Sequence, residues 1–322
     1  MSREEALRVE DLKVYYMTEK GYVRAVDEVS FNLSKGESLA IVGESGSGKS
    51  TLGMTLIRAL PKNASIVSGR AYIFGDEILS ISLQDFRRKF SWRLISMVFQ
   101  GAMNSLNPVL KVGDQVAEPL IYSGGLPKEE ARRRATETIE TVGLPREFYN
   151  RYPHELSGGM KQRIVIAMAL VMNPQILILD EPTSALDVTI QAQIINLIKD
   201  LIDKLGLSVI FITHDLALAS DIADRIMVMY GGQIMELGST DRVLGEGPKH
   251  PYTEKLLSSI PRLRGEGMPD FIPGRPPDLS SPPPGCRFHP RCPYVFDRCM
   301  KEEPPLFNIN STHLVKCWLR GD

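Results

Sequence analysis

Residues 43–51 read Gly-Glu-Ser-Gly-Ser-Gly-Lys-Ser-Thr. They fit the pattern G-x-x-x-x-G-K-[ST] without a mismatch. The largely apolar run before them, Ser38 to Val42, predicts a strand, and Lys49 to Leu60 predicts a helix stopped by Pro61. That strand–loop–helix setting separates a phosphate-binding loop from a chance glycine-rich turn. Glycines let the backbone close around an oxyanion. Successive N–H groups and the positive end of the new helix then point at phosphates. In this pattern Lys49 reaches the β- and γ-phosphates and the Ser50 hydroxyl ligates Mg²⁺. Gly43, Ser45, Gly46, Gly48, Lys49, Ser50 and Thr51 are therefore the expected contacts of a nucleoside triphosphate.

A second segment complements the loop. Ile176-Leu177-Ile178-Leu179-Asp180-Glu181 is an apolar strand ending in two carboxylates. Such a strand delivers Asp180 to the carboxyl edge of a sheet, where it can hold Mg²⁺, with Glu181 placed to polarise a water facing the γ-phosphate. Alone, an apolar run ending in Asp-Glu is common and is as well explained by packing.

Further strands are predicted in patches over 7–34, at Ala71–Phe74, Ile95–Phe99 and Ser208–Thr213, and in a hairpin, Arg225–Tyr230 and Gln233–Leu237, turned by Gly231-Gly232. Ser105 to Asn173 is dominated by helical periodicity, for example Lys128–Val142, and Thr189–Leu205 predicts another helix. Strands alternating with helices imply an α/β fold with a parallel core.

The order of short motifs identifies a family. Leu156-Ser157-Gly158-Gly159-Met160 precedes the carboxylate strand and Ser184-Ala185-Leu186-Asp187 follows it. Gln100 ends one strand, and His214 follows Ile210-Phe211-Ile212-Thr213. Together these resemble the ATP-binding-cassette (ABC) ATPases. The resemblance implies a P-loop NTPase fold with a RecA-like parallel-sheet core, an antiparallel β-subdomain and a helical subdomain. It makes Ser157, Gly158 and Gly159 a signature loop that meets the γ-phosphate held by another subunit, with Asp187 in the D-loop. It makes Gln100 the Q-loop residue, a further Mg²⁺ contact beside Ser50 and Asp180. It assigns Gln100, Glu181 and His214 to catalysis, and Tyr16 to stacking on adenine, with Tyr15 as a nearby competitor.

Gln100-Gly-Ala-Met-Asn-Ser-Leu-Asn-Pro108, Tyr152-Pro-His-Glu-Leu-Ser-Gly-Gly-Met160 and His250-Pro-Tyr252 narrow the match to ATPases of dipeptide and oligopeptide permeases and their nickel-permease relatives. The implied function is ATP hydrolysis driving peptide import. Nickel or nickel-chelate import, or a soluble non-transport ABC ATPase, are the alternatives. Implied partners are a second cassette, either a homologous subunit or a copy, two membrane-spanning permeases and an external peptide-binding protein. Met103, Leu106 and Pro108 are candidate permease contacts. The expected division is a nucleotide-binding domain over 1–240, with a helical subdomain at about 104–174, and an extension over 241–322.

The extension holds a helical segment, Tyr252–Ile260, a proline-rich stretch, Pro261–Pro284, and all four cysteines, Cys286, Cys292, Cys299 and Cys317. A reducing cytosol disfavours disulfides. Four thiolates in a proline-braced segment suit zinc or a larger cluster. The wide spacing, and a resemblance to cysteine-bearing peptide-transporter ATPases, favour a [4Fe–4S] cluster over zinc. Arg287, Arg291 and Arg298 would offset thiolate charge or form a solvated rim.

With 322 residues, 43% apolar, the chain has ample material for a core, and its net charge of −1 gives no global basic field for nucleic acid. It has no run of the roughly 20 apolar residues a membrane span requires. The charged Met1–Ala6 lacks the apolar segment of a secretion signal. These features predict a chain that stays in the cytosol and meets a membrane only through a partner; the resemblance implies a peripheral place on the cytoplasmic side of the inner or plasma membrane.

Overall fold

The computed structural model describes residues 4–19, 21–259, 272–310 and 312–321. In chain order the first elements are β1 (Glu5–Thr18), β2 (Gly21–Ser34), β3 (Ser38–Val42), α1 (Lys49–Leu56), β4 (Ala64–Ile73), β5 (Asp76–Glu77), α2 (Leu83–Lys89) and β6 (Ile95–Val98). A helical stretch follows, with α3 (Val112–Tyr122), α4 (Lys128–Thr141) and α5 (Gly158–Leu170). Then come β7 (Ile176–Asp180), α6 (Val188–Leu205), β8 (Ser208–Thr213), α7 (Leu216–Ile222), β9 (Arg225–Tyr230) and β10 (Gln233–Ser239). The extension carries α8 (Pro251–Ser258), α9 (Asp297–Lys301), β11 (Phe307–Asn310) and β12 (His313–Val315).

The chain forms two compact units. The first comprises residues 1–6, 34–37 and 80–210. In it β6 and β7 pair in parallel, with Ile95 opposite Ile176 and Val98 opposite Leu179. Every residue of β7 is buried. That is why this strand reads as an unbroken apolar run: a parallel strand covered on both faces has no solvent side to mark with polar residues. Helices α3, α4 and α5 pack on one another through Val116, Leu120, Ala131, Ala135, Ile139 and Ile164, all nearly inaccessible. The helix α6 buries Ile194, Ile195, Ile198 and Leu201, an i, i+1, i+4, i+7 stripe.

The second unit comprises residues 7–33, 38–79 and 211–322. One of its sheets runs β2-β1-β4-β5, with β1 antiparallel to β4. The other runs β11-β12-β10-β9-β3-β8. Here β3 and β9 are parallel, while β9, β10, β12 and β11 continue antiparallel. Its core includes Ala40, Val42, Ile226, Val228, Tyr230, Tyr252 and Phe288.

Local sequence accounts for most of these limits. Gly231 and Gly232, at φ 58° and 82°, turn the β9–β10 hairpin as expected. Several boundaries differ, among them β4, which begins at Ala64 rather than at the expected Ala71. The patches over 7–34 are two continuous fourteen-residue strands. Helix α1 stops at Leu56 rather than Leu60, and Arg58 just beyond it sits at φ 56°, where a helix cannot continue. Helix α8 ends at Ser258, and the remainder of the expected helix at Ile260, with residues 261–271 of the proline-rich stretch, lies outside the described residues. Among the described residues no helix is long and apolar enough to cross a membrane.

Candidate nucleotide site and cysteine segment

The loop between β3 and α1 is shaped by contacts that admit no side chain. Gly43 (φ 154°) and Gly48 (φ 102°) would each carry a Cβ into a backbone carbonyl, Met229 O at 2.1 Å and Ala25 O at 2.0 Å respectively. The Lys49 ammonium donates to the carbonyls of Gly43 at 2.7 Å and Glu44 at 2.9 Å. Ser47 N–H donates to Glu44 O, and Gly232 N–H donates to Ser47 O. Tyr16 lies beside the loop's helix, its hydroxyl 3.1 Å from Thr51 Oγ1. The neighbouring Tyr15 hydroxyl donates to Asp27 at 2.8 Å.

In the other unit Asp180 is buried at the end of β7. Glu181 follows at φ 47°, a left-handed conformation that costs a non-glycine residue roughly 1–3 kcal/mol and is retained where surroundings impose it. Gln100 Nε2 donates to Glu181 Oε2 at 2.9 Å. The two candidate catalytic residues, 81 positions apart, are thus brought into direct contact.

Ser157 caps α5, accepting from Met160 N–H, so Gly158 and Gly159 form the helix's first turn. A Cβ on Gly159 would stand 2.7 Å from Ile190 Cγ2, so this glycine is required by the approach of α6. Ser157 and Gly158 are exposed. Asp187 caps α6, accepting from Ile190 N–H at 3.0 Å. His214 is exposed just after β8. Asp180 and Gln100 in the first unit, and Ser50 in the second, each carry a hard oxygen donor of the kind Mg²⁺ takes.

Of the three candidate permease contacts, Leu106 is buried (6% exposed) and packs inward, whereas Val109 (75%) and Leu110 (45%) beyond it are exposed. Hydrophobicity alone could not separate these neighbours.

The four cysteines line one small cavity with His250, Phe288 and Trp318. Its volume is about 10 Å³, room for one water. Among the described residues no three His, Cys, Asp or Glu side chains are placed to hold a metal ion. The described residues thus lend no support to the expected [4Fe–4S] or zinc centre. Burial pushes the Cys286 thiol up to about 12 and Cys292 up to about 11. The three arginines are not thiolate partners either. Arg287 pairs with buried Asp27, and Arg291 with Glu44 at 2.7 Å. Arg298 pairs with Glu302 and stacks 3.5 Å over Trp318.

Sequence reading also missed how the extension is held. Buried Glu236 on β10 accepts from Lys249 N–H at 2.8 Å and His250 N–H at 3.0 Å, with His313 Nε2 2.8 Å away. The only local signal was a glutamate inside a strand read as one arm of a hairpin.

Residues 26–184 match the ABC transporter family and residues 235–299 the oligopeptide/dipeptide transporter C-terminal region. The oligopeptide transport ATP-binding protein OppD of Bacillus subtilis is 46% identical over 97% of this chain and 88% of its own. The dipeptide transport ATP-binding protein DppD of Lactococcus lactis is 44% identical over 99% of this chain and 92% of its own. Among solved structures, the dimeric ATP-binding cassette MJ0796 in a post-hydrolysis state bound to ADP and Pi superposes with TM-score 0.65 at 31% identity, covering 73% of this chain and 98% of that one. A phosphate loop, a carboxylate strand, a signature loop and a C-terminal region of this type in one chain make it an ATPase of the ABC transporter family, in the oligopeptide/dipeptide branch.

Proposed function

We propose that this chain is one of two cassettes that power import of short peptides through a pair of permease subunits. The observation that carries the reading is the pairing of a cassette with the oligopeptide/dipeptide-type C-terminal region, in relatives matched over nearly their whole length. Residues 1–240 serve as the nucleotide-binding domain, with 104–174 as its helical part, and 241–322 as the extension. Nickel import shares the motor chemistry, and no residue in the site favours it.

Two chains assemble head to tail. ATP lies between the Lys49 loop of one and the Ser157–Gly159 loop of the other, with Tyr16 against adenine and Asp187 at the junction. Lys49 and the N-terminus of α1 neutralise the phosphates. Ser50, Asp180 and Gln100 would hold Mg²⁺, which offsets phosphate charge when bound. Glu181 accepts a proton from the attacking water as its oxygen bonds to the γ-phosphorus. The bond from that phosphorus to the bridging oxygen breaks, and ADP leaves with the electron pair. Gln100 holds the Glu181 carboxylate in position, and His214 contacts the γ-phosphate. Loss of the γ-phosphate removes the contact that joins the two chains.

The exposed Val109 and Leu110, with a groove of about 570 Å³ lined by Leu110, Glu118, Tyr122 and Tyr149, support docking of a permease segment on the first unit. That docking would hold the chain at the cytoplasmic face of the membrane. The cysteine geometry supports no metal centre, and no step uses one. Iron and sulfide analysis of anaerobically purified chain tests that point, and about four irons per chain, the content of the cluster type, would overturn it.

Detergent extraction with an affinity-tagged chain tests the whole reading. Two membrane-spanning subunits and a second cassette should follow the tag, and ATPase activity should rise when the external binding protein carries a peptide. Recovery of the chain with ribosomes or nucleic acid instead would sink it.

A further inference from the structure

The phosphate loop is gripped from the extension. Arg291 Nη1 donates to Glu44 Oε2 at 2.7 Å and Nη2 to Glu44 Oε1 at 3.0 Å, a bidentate pair with the second residue of the loop. The same guanidinium donates from Nε to Pro273 O, from Nη1 to Tyr230 Oη and from Nη2 to Ile272 O. These contacts give an acceptor to each of its five N–H groups, so its orientation is over-determined. Its side chain is 5% exposed. Tyr252 adds a second grip. Its hydroxyl accepts the Glu44 backbone N–H at 2.9 Å, and its fully buried ring packs 4.6 Å from Tyr230 and 5.3 Å from Phe288, centroid to centroid.

We propose that Arg291 and Tyr252 are positioning residues for ATP binding, which hold the phosphate loop open for the triphosphate through Glu44. Two physical effects support this. A loop with glycines at 43, 46 and 48 has a wide choice of backbone conformations when unrestrained, and ordering it on binding costs affinity. A clamp on Glu44 that holds both its N–H and its carboxylate orders the loop beforehand. Charge is the second effect. A carboxylate within a phosphate-binding loop repels the triphosphate unless it is paired, and Arg291 pairs it. The extension thereby acts on nucleotide affinity without touching nucleotide. The inference rests on the reading of residues 43–51 as the nucleotide site.

The test is titration of the full chain with a fluorescent ATP analogue in Mg²⁺, alongside steady-state ATPase rates and thermal melting. Arg291→Met should raise the Kd and KM for ATP about tenfold, and Tyr252→Phe, which keeps the packed ring, about threefold. Saturating kcat should stay within about twofold in both, because Glu181 and Gln100 are untouched. Glu44→Gln placed in the Arg291→Met background should leave affinity no worse than Arg291→Met alone, since the repelling charge is gone. Lys49→Ala should abolish binding. If Lys49→Ala abolishes binding but Arg291→Met and Tyr252→Phe bind as the parent does, the positioning role is refuted and the site stands. Fully additive losses for Glu44→Gln and Arg291→Met would refute it as well. Parental affinity in Lys49→Ala would remove the nucleotide site itself, and the positioning role with it.

Discussion

Replacing Glu181 by Gln tests the chemistry with almost no change of shape. The carboxylate sits at the end of β7, held by the Gln100 amide at 2.9 Å and by its own left-handed backbone. A glutamine has the same heavy-atom outline, and its amide oxygen can still accept from Gln100 Nε2. What it loses is basicity toward the attacking water. General-base catalysis contributes about 10²–10⁴-fold, and the lower figure corresponds to about 2.7 kcal/mol of barrier. Phosphate release at saturating ATP should therefore fall by about 10²-fold or more. The Kd for ATP should stay within about threefold, because no phosphate contact is removed. ATP should then hold two chains together long enough for a dimer to be seen by light scattering. Gln100→Ala should also lower kcat, by about tenfold or more, since it removes the hydrogen bond to the Glu181 carboxylate together with the proposed Mg²⁺ contact. Near-parental hydrolysis by Glu181→Gln would remove this residue from the role. Loss of ATP binding in step with hydrolysis would point to a purely structural carboxylate.

Gly48→Ala should cripple nucleotide binding, because its Cβ would lie 2.0 Å from Ala25 O at φ 102°. Affinity for ATP should drop by more than about tenfold for a melting loss of about 1–3 kcal/mol, and unchanged affinity would refute the close-approach argument. Acid should destabilise the chain through His250, whose full burial lowers its pKa to about 4. Because the unfolded chain takes up a proton there below pH 6.5 while the folded chain resists it, stability falls as pH drops from about 6.5 towards 4. Urea midpoints at pH 7 and 5 should show this, and His250→Asn, which keeps a helix cap, should flatten the difference; equal slopes would contradict it. Val109→Asp with Leu110→Asp, at exposed positions, should leave the isolated chain's ATPase within about twofold but uncouple peptide uptake in the assembled transporter. Uptake at the parental rate would rule out that face as the permease contact.

Much of the fold and the candidate site was legible because its signals are local. Buried parallel strands such as β7 announce themselves as apolar runs, and the loop at 43–51 states its glycines in fixed register. The contacts that place the extension were not legible. Arg291 meets Glu44 across 247 positions and Arg287 meets Asp27 across 260, and no periodicity links residues so far apart. The same arginines looked like counterions for thiolates because their nearest neighbours in sequence are cysteines. β11 and β12, four and three residues long, carry too few alternations to register as strands. Whether Leu106 or Leu110 faces solvent depends on how the chain turns after Gln100, which composition does not encode.

The most direct test is a structure of the two assembled cassettes, both bearing Glu181→Gln, with ATP and Mg²⁺ bound. The Gly158 backbone N–H of each chain should lie about 3 Å from a γ-phosphate oxygen held by the other chain's Lys49 loop. A signature loop more than about 10 Å from every γ-phosphate in the closed assembly, beyond the reach of screened charge, would contradict the shared nucleotide site.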